Sequence, residues 1–143
     1  MIFPELDNLV RIGKLNTEPG AQTEFDGLVR SGFVRLSDAG NSELSFESRF
    51  DLAYNAAHSL ALAALRWHGY RSENRYVVFQ VLPHTLGLGP EVWKVLAECH
   101  RRRNQSEYEG ILERDEQLLT DLIAVTEVVF TEVRQLGPIQ ASL

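Results

Sequence analysis

The residues of this chain best suited to chemistry lie in one polar block, His100 to Tyr108, on a predicted helix. At about 100° per residue, the apolar stripe that contains Trp93 and Leu96 continues into four polar residues, His100, Arg103, Asn104 and Glu107. Burying such groups costs several kcal/mol unless they are partnered. The stripe therefore predicts a groove, a polar network or a subunit interface.

The chemistry available to this block is anion binding and proton transfer. Arg103 offers a planar fork for phosphate or carboxylate, and Asn104 presents donors and an acceptor beside it. His100 lies one turn earlier on the same face, so a general base there is geometrically possible. A histidine hydrogen-bonded within the bundle or at its surface is the alternative. An internal salt bridge from Arg103 to one acid remains the alternative, with three candidates, Glu47, Asp51 and Glu98.

A second pair of candidates lies on another predicted helix. Tyr54 and His58 are four residues apart and share one helix face, so they can line the same cleft as Arg103. Packing of both side chains with satisfied polar tips is the alternative.

Several kinds of site are excluded by what the sequence lacks. The four histidines include no HxxxH, HExxH or Glu-x-x-His spacing, and Cys99 is the only cysteine, so we expect no metal site. Gly87 and Gly89 lack the third glycine and preceding strand of a dinucleotide-binding turn. No nucleophile motif is present, so we predict no cofactor and no acyl transfer.

Length and charge set further limits. The chain has 143 residues and a formal net charge of −6, so a surface that binds nucleic acid through bulk electrostatics is not expected. The one concentration of positive charge is Arg101 to Arg103. No apolar stretch approaches the roughly 20 residues of a membrane helix, and the first residues do not resemble a secretory signal. We therefore expect a cytoplasmic protein without membrane contact.

Helical periodicity dominates the sequence and predicts an all-α fold. The strongest pattern runs from Ser45 to His68, where apolar and small residues recur at three- and four-residue steps and Gly69 closes the helix. The other predicted helices lie near Leu6–Val10, Phe25–Leu36, Arg75–Leu86, Pro90 to Tyr108 or Leu112, and Asp115–Leu136. We expect one domain over residues 1–143, an up-and-down-like bundle of four to six helices. Its central helices are predicted at about 45–68, 91–110 and 115–136.

With the helices placed, three patterns resemble the HEPN superfamily of small helical-bundle proteins. The helix Arg49 to Leu65, ending at Gly69, is similar to that superfamily's small-residue helix. The segment Arg103-Asn104-Gln105-Ser106-Glu107-Tyr108 resembles its arginine-polar motif, and a last helix rich in Leu and Val follows. The resemblance covers residues 20 to 136 and implies an HEPN-like bundle that forms a homodimer with a polar cleft.

One departure from the HEPN pattern decides which function the resemblance implies. HEPN ribonucleases place a histidine after the arginine-polar pair and cut RNA without metal, but Tyr108 holds that position here. A tyrosine with a pKa near 10 is a poor general base at neutral pH, and general acid–base help is typically worth about 10²–10⁴-fold. The resemblance thus supports binding more than cleavage.

Three functions remain open. The first, implied by the resemblance to HEPN proteins, is a non-catalytic module of a stress, defence or toxin–antitoxin-like system that binds a nucleotide, RNA or a nucleotidyltransferase partner. Its predicted binding residues are Arg103, Asn104, Tyr108, His100, Tyr54 and His58. The second is a metal-independent endoribonuclease using Arg103 and Asn104 with His100 or Tyr108, and the third is a purely structural interaction bundle. A homodimer is expected, with polar residues of the fifth helix near the two-fold axis.

Overall fold

The computed structural model describes residues 4–140, which form seven helices and one pair of two-residue strands. The helices are α1 (Pro4–Arg11), α2 (Gln22–Ala39), α3 (Phe46–Trp67), α4 (Arg75–Gln80), α5 (Leu82–Thr85), α6 (Pro90–Glu109) and α7 (Glu116–Arg134). The strands are β1 (Asn16–Thr17) and β2 (Tyr70–Arg71), which pair antiparallel. The all-α prediction is confirmed. Residues 1–3, where no secretory signal was expected, lie outside the described range.

Local signals set the ends of the long helices. The Ser45 hydroxyl accepts a hydrogen bond from the Ser48 amide (3.1 Å) at the start of α3, and the Asp115 carboxylate accepts one from the Leu118 amide (2.9 Å) before α7. Pro90 occupies the first turn of α6, where its missing N–H costs nothing. Gly110, with φ at +73°, ends α6 in the left-handed conformation that favours glycine.

Helix α3 lies at the centre of the bundle. It packs against α2 and α7 most extensively, and it also contacts α4, α5 and α6. Four of its alanines, Ala53, Ala57, Ala61 and Ala64, are fully buried, and such small side chains let neighbouring helices approach closely. Helix α2 therefore belongs to the centre of the bundle, although the predicted central set contained only the third, fifth and last helices.

Two features differ from the sequence-based expectation. The segment predicted as one helix from Arg75 to Leu86 is broken at Val81 into α4 and α5. The strand pair β1–β2 joins two segments that were predicted as connections. Arg66, only 2% exposed, fixes this region because its guanidinium donates to the Glu24 carboxylate (2.6 Å) and to the carbonyls of Glu18 and Pro19 (both 2.8 Å).

Three helices position the side chains of the polar block. Helices α4 and α6 pack on each other and on α3. Within residues 4–140, no helix is long and apolar enough to cross a membrane.

Candidate ligand-binding groove

A chain of three hydrogen-bonded side chains links α3 to α6. The Asn104 amide nitrogen donates to His100 Nε2 (3.1 Å), so in this orientation the ring proton lies on Nδ1. Nδ1 then donates to the hydroxyl of Tyr54 (2.8 Å), whose side chain is fully buried. Both ring nitrogens of His100 are therefore held by groups of the protein itself.

Two arginines stack on the ring of Tyr54. The guanidinium carbon of Arg103 lies 5.0 Å from the ring centroid, and that of Arg75 lies 5.5 Å away. Both distances are within the range of cation–π attraction. Arg75 also donates to the Asn55 side-chain oxygen (2.9 Å), and no carboxylate of the described chain pairs with it.

The predicted alternative for Arg103, an internal ion pair, is present in the structure. Arg103 lies 2.7 Å from the Glu107 carboxylate and 3.6 Å from that of Asp51. Of the three predicted acids, only Asp51 pairs with it among residues 4–140, while Glu98 pairs with Arg101 and Arg102. Asp51 and Glu107 are largely exposed, so the positive charge of Arg103 is only partly compensated near water.

The environment of His100 keeps its ring neutral. Burial lowers the pKa of His100, and the positive charges of Arg103 and Arg75 lower it further, while Glu107 acts in the opposite direction. Burial likewise raises the pKa of Tyr54, although Arg75 and Arg103 oppose that change. Both groups in the central hydrogen bond are therefore uncharged at neutral pH.

His58 lies beneath this network but does not join it. Its ring packs edge-on against Phe79, with centroids 6.1 Å apart. Its Nε2 is buried and has no hydrogen-bond partner among the described residues. Burial, together with the repulsion from Arg75, Arg103 and His100, lowers the pKa of His58 to about 4.

A groove of about 500 Å³ opens where α4 meets α6. Its walls are aromatic: the rings of Tyr76 and Trp93 meet nearly at right angles with centroids 6.4 Å apart, and Tyr76 lies 5.8 Å from the ring of His100. The other lining residues are Lys94, Ala97, Glu98, Arg101 and Asn104. Three aromatic rings thus surround an amide and two basic side chains.

The structure brings together some of the predicted site residues and separates others. His100 and Asn104 line the groove, and Tyr54 and Arg103 support it from behind. Tyr108 is 91% exposed and does not line it. No finding tests the predicted role of Tyr108 in binding, which stays a prediction.

Sequence reasoning did not identify Tyr76 and Lys94 as site residues, and it placed Trp93 in the core. The adjacent aromatic and basic residues Trp93 and Lys94 were a usable signal, since stacking and charge often combine in ligand sites. Tyr76 had no such signal, because its position against α6 depends on how α4 packs.

No group of three or more histidine, cysteine or acidic side chains within residues 4–140 is arranged to hold a metal ion. The groove itself offers aromatic stacking, amide hydrogen bonding and cationic contacts.

No known protein family, curated protein or solved structure matches this chain. The resemblance to HEPN proteins therefore stays a prediction based on the sequence motifs.

Proposed function

We propose that this protein is a non-catalytic, HEPN-like binding module that holds a nucleotide in the groove between α4 and α6. The observation that carries the proposal is the aromatic corner of Tyr76 and Trp93 beside the amide of Asn104. A planar base can stack on an aromatic side chain, which is typically worth about 1–3 kcal/mol per base. Asn104 keeps its carbonyl oxygen and one N–H for the edge of that base, since only one N–H is used by His100.

The basic residues at the groove suit the phosphate of such a ligand. Lys94 is exposed, and no carboxylate of the described chain pairs with it. Arg101 reaches the same groove but already contacts Glu98. The two cations act locally, because the chain as a whole carries a net charge of −6 and does not attract polyanions over long distances.

The alternative function, a metal-independent endoribonuclease, is less well supported. A general base needs a nitrogen that can reach the substrate, but both nitrogens of His100 bond to Tyr54 and Asn104. The exposed Tyr108 and the ion-paired Arg103 do not provide a replacement pair in one place. Binding without cleavage fits this geometry better.

The finer parts of the proposal come from the resemblance. We propose that the bound ligand is a free nucleotide or an unpaired base of RNA, and that the module acts beside a nucleotidyltransferase-type partner in a stress or defence system. A purely structural interaction bundle remains the second alternative, and it requires no ligand in the groove.

The test is isothermal titration calorimetry in the presence of a chelator. The protein is titrated with the mono- and triphosphates of adenosine and guanosine and with a short single-stranded RNA. We expect Trp93→Leu to weaken binding by roughly 5- to 150-fold, or about 1–3 kcal/mol, because it keeps apolar volume but removes the stacking surface. Lys94→Glu should weaken binding by at least about tenfold, or roughly 1.4 kcal/mol. Tyr108→Phe should leave binding unchanged.

The matched control is Lys14→Glu, which makes the same charge change at the other lysine of the chain, an exposed residue before β1. Binding that is equally weakened by both lysine substitutions would indicate bulk electrostatics and contradict a groove. Absence of binding by every nucleotide tested would favour the structural bundle. RNA products that form with chelator present and vanish in Arg103→Ala or His100→Ala would establish the ribonuclease instead.

A further inference from the structure

A second groove, unrelated to the nucleotide site, lies between α2 and α7. It has a volume of about 390 Å³ and is mainly apolar, lined by Phe25, Val29, Phe33, Phe130, Val133 and Leu136. Phe33 stacks on Phe130 with centroids 5.4 Å apart, yet its side chain is 52% exposed. A contiguous apolar surface rimmed by polar residues is typical of interaction sites.

The rim of this groove carries uncompensated positive charge. Arg30 and Arg134 both line it, and neither pairs with a carboxylate of the described chain. Arg134 stacks on Phe130 at 5.5 Å instead. The acid at the rim, Asp26, accepts a hydrogen bond from Gln22 (2.8 Å) and not from either arginine. An occupant with apolar side chains and acidic neighbours would complement this surface.

The same chain displays a segment with those properties. The α6–α7 tip, Tyr108 to Glu113, comprises the last two residues of α6 and the start of the connection to α7, and it has the sequence YEGILE. Tyr108 is 91% exposed and Ile111 is 71% exposed, and the exposed Glu109 and Glu113 lie between them and after them in the sequence. Two large apolar side chains between acids match the groove in both hydrophobicity and charge.

The tip cannot reach the groove of its own molecule. The tip lies just before the N-terminus of α7, next to Asp115, whereas the groove lies near the C-terminal end of α7, at Val133. At 1.5 Å per residue these two positions are about 27 Å apart. In two copies related by a two-fold axis across α7, these helices run antiparallel, so the tip of each copy lies at the groove end of the other.

We propose that this protein forms a symmetric dimer in which the α6–α7 tip of each copy occupies the α2–α7 groove of its partner. Tyr108 and Ile111 fill the apolar groove, while Glu109 and Glu113 face Arg30 and Arg134. This surface differs from the one that the sequence predicts, which placed polar residues of α6 near the axis. The proposal does not depend on the proposed nucleotide site.

The test is sedimentation equilibrium of the full chain and its variants. We expect a dimer whose dissociation constant rises by at least about tenfold in Ile111→Asp and in the double variant Arg30→Glu/Arg134→Glu. Ile12→Asp is the matched control, because Ile12 is 65% exposed and belongs to neither the tip nor the groove lining, so it should tolerate the same change without loss of dimer. Circular dichroism checks that each variant keeps its helices.

A mixing experiment separates this contact from any other. Ile111→Asp has a defective tip and an intact groove, whereas Arg30→Glu/Arg134→Glu has the reverse. Each alone should be monomeric, and their mixture should form a heterodimer through the one intact tip–groove contact. A monomeric wild-type protein, a dimer insensitive to both variants, or a mixture that stays monomeric would overturn the proposal. So would a mass that keeps growing beyond two copies, because the contact would then not be reciprocal.

Discussion

Replacing His58 by leucine should remove much of the acid sensitivity of this fold. The Nε2 atom of His58 is buried and has no hydrogen-bond partner among the described residues. The positive charges of Arg75 and Arg103, together with His100, act on the same imidazole ring. Protonating it in the folded state would place a further charge there. Because leucine cannot bind a proton, His58→Leu removes this cost while keeping an apolar side chain against Phe79.

The magnitude follows from the lowered pKa. An ordinary histidine titrates near 6.5, whereas His58 titrates at about 4 in the folded chain. Between these values the unfolded chain binds the proton and the folded chain does not, so stability falls as pH falls through this window. The loss amounts to about 2 kcal/mol at about pH 5 and approaches about 3 kcal/mol below pH 4.

Other titratable groups also change the stability of the chain with pH, but only some of them titrate between about pH 4 and 6.5. The pKa values of His68 and His100 are also lowered by burial, so they add to the loss in the wild-type chain and persist in the variant. Arginine partners lower the pKa values of Glu24 and Glu98, whose stabilisation is lost only as pH falls below the ordinary carboxyl range. Measurements at about pH 5 and 7.5 therefore isolate the histidines.

The assay is urea denaturation followed by circular dichroism at these two pH values. The difference in unfolding free energy between them should be smaller in His58→Leu than in wild type by about 2 kcal/mol. His84→Leu is the control, because His84 is exposed on α5 and should leave the difference unchanged. If His58→Leu keeps the full wild-type pH dependence, the reasoning from burial and charge at His58 is wrong.

Two further predictions test the packing of the bundle. A Cβ at Gly32 would lie 2.5 Å from Leu60 Cγ, so Gly32→Ala should lower the unfolding free energy by about 1–3 kcal/mol. Gly27→Ala, where a Cβ meets nothing within 4 Å, should raise it by about 0.5–1 kcal/mol in thermal melts, and equal effects at both sites would contradict the α2–α3 contact. Arg66→Met should cost about 1–3 kcal/mol in urea denaturation, because it leaves the buried Tyr70 carbonyl unpaired and removes the partner of the Glu24 carboxylate. The partly exposed Arg71→Met should cost clearly less, and a reversed order would refute the central role of Arg66.

Local sequence signals were sufficient to predict where the third, fifth and last helices begin. The third helix was predicted from Ser45 to His68 and spans Phe46–Trp67, with Ser45 as its N-cap and His68 as its C-cap. The fifth and last helices likewise begin after Gly89 and Asp115, as their cap residues indicate. Caps, glycine stops and the period of 3.6 act within a few residues, which is why one sequence reveals them.

Contacts between distant segments were not predictable in this way. Arg66, which links α3 to the segment before α2, reads in the sequence as an ordinary basic residue near a helix end. The strand pair β1–β2 joins residues more than fifty positions apart, and its two strands are too short to show alternation. The break at Val81, by contrast, had a local signal that the one-helix prediction did not use, because Pro83 has no N–H to donate to the preceding turn.

The sequence alone determined that His100 and Asn104 share one face of α6, because residues four apart on a helix are neighbours. It also determined that this face is polar where the apolar stripe should continue. Only the tertiary structure decided what that face does: it places Tyr54, 46 residues away in sequence, 2.8 Å from His100, and sets Tyr76 of α4 across from Trp93. It also leaves Tyr108 in solvent, since helix periodicity fixes the direction of a side chain around the helix axis but not whether another segment covers it.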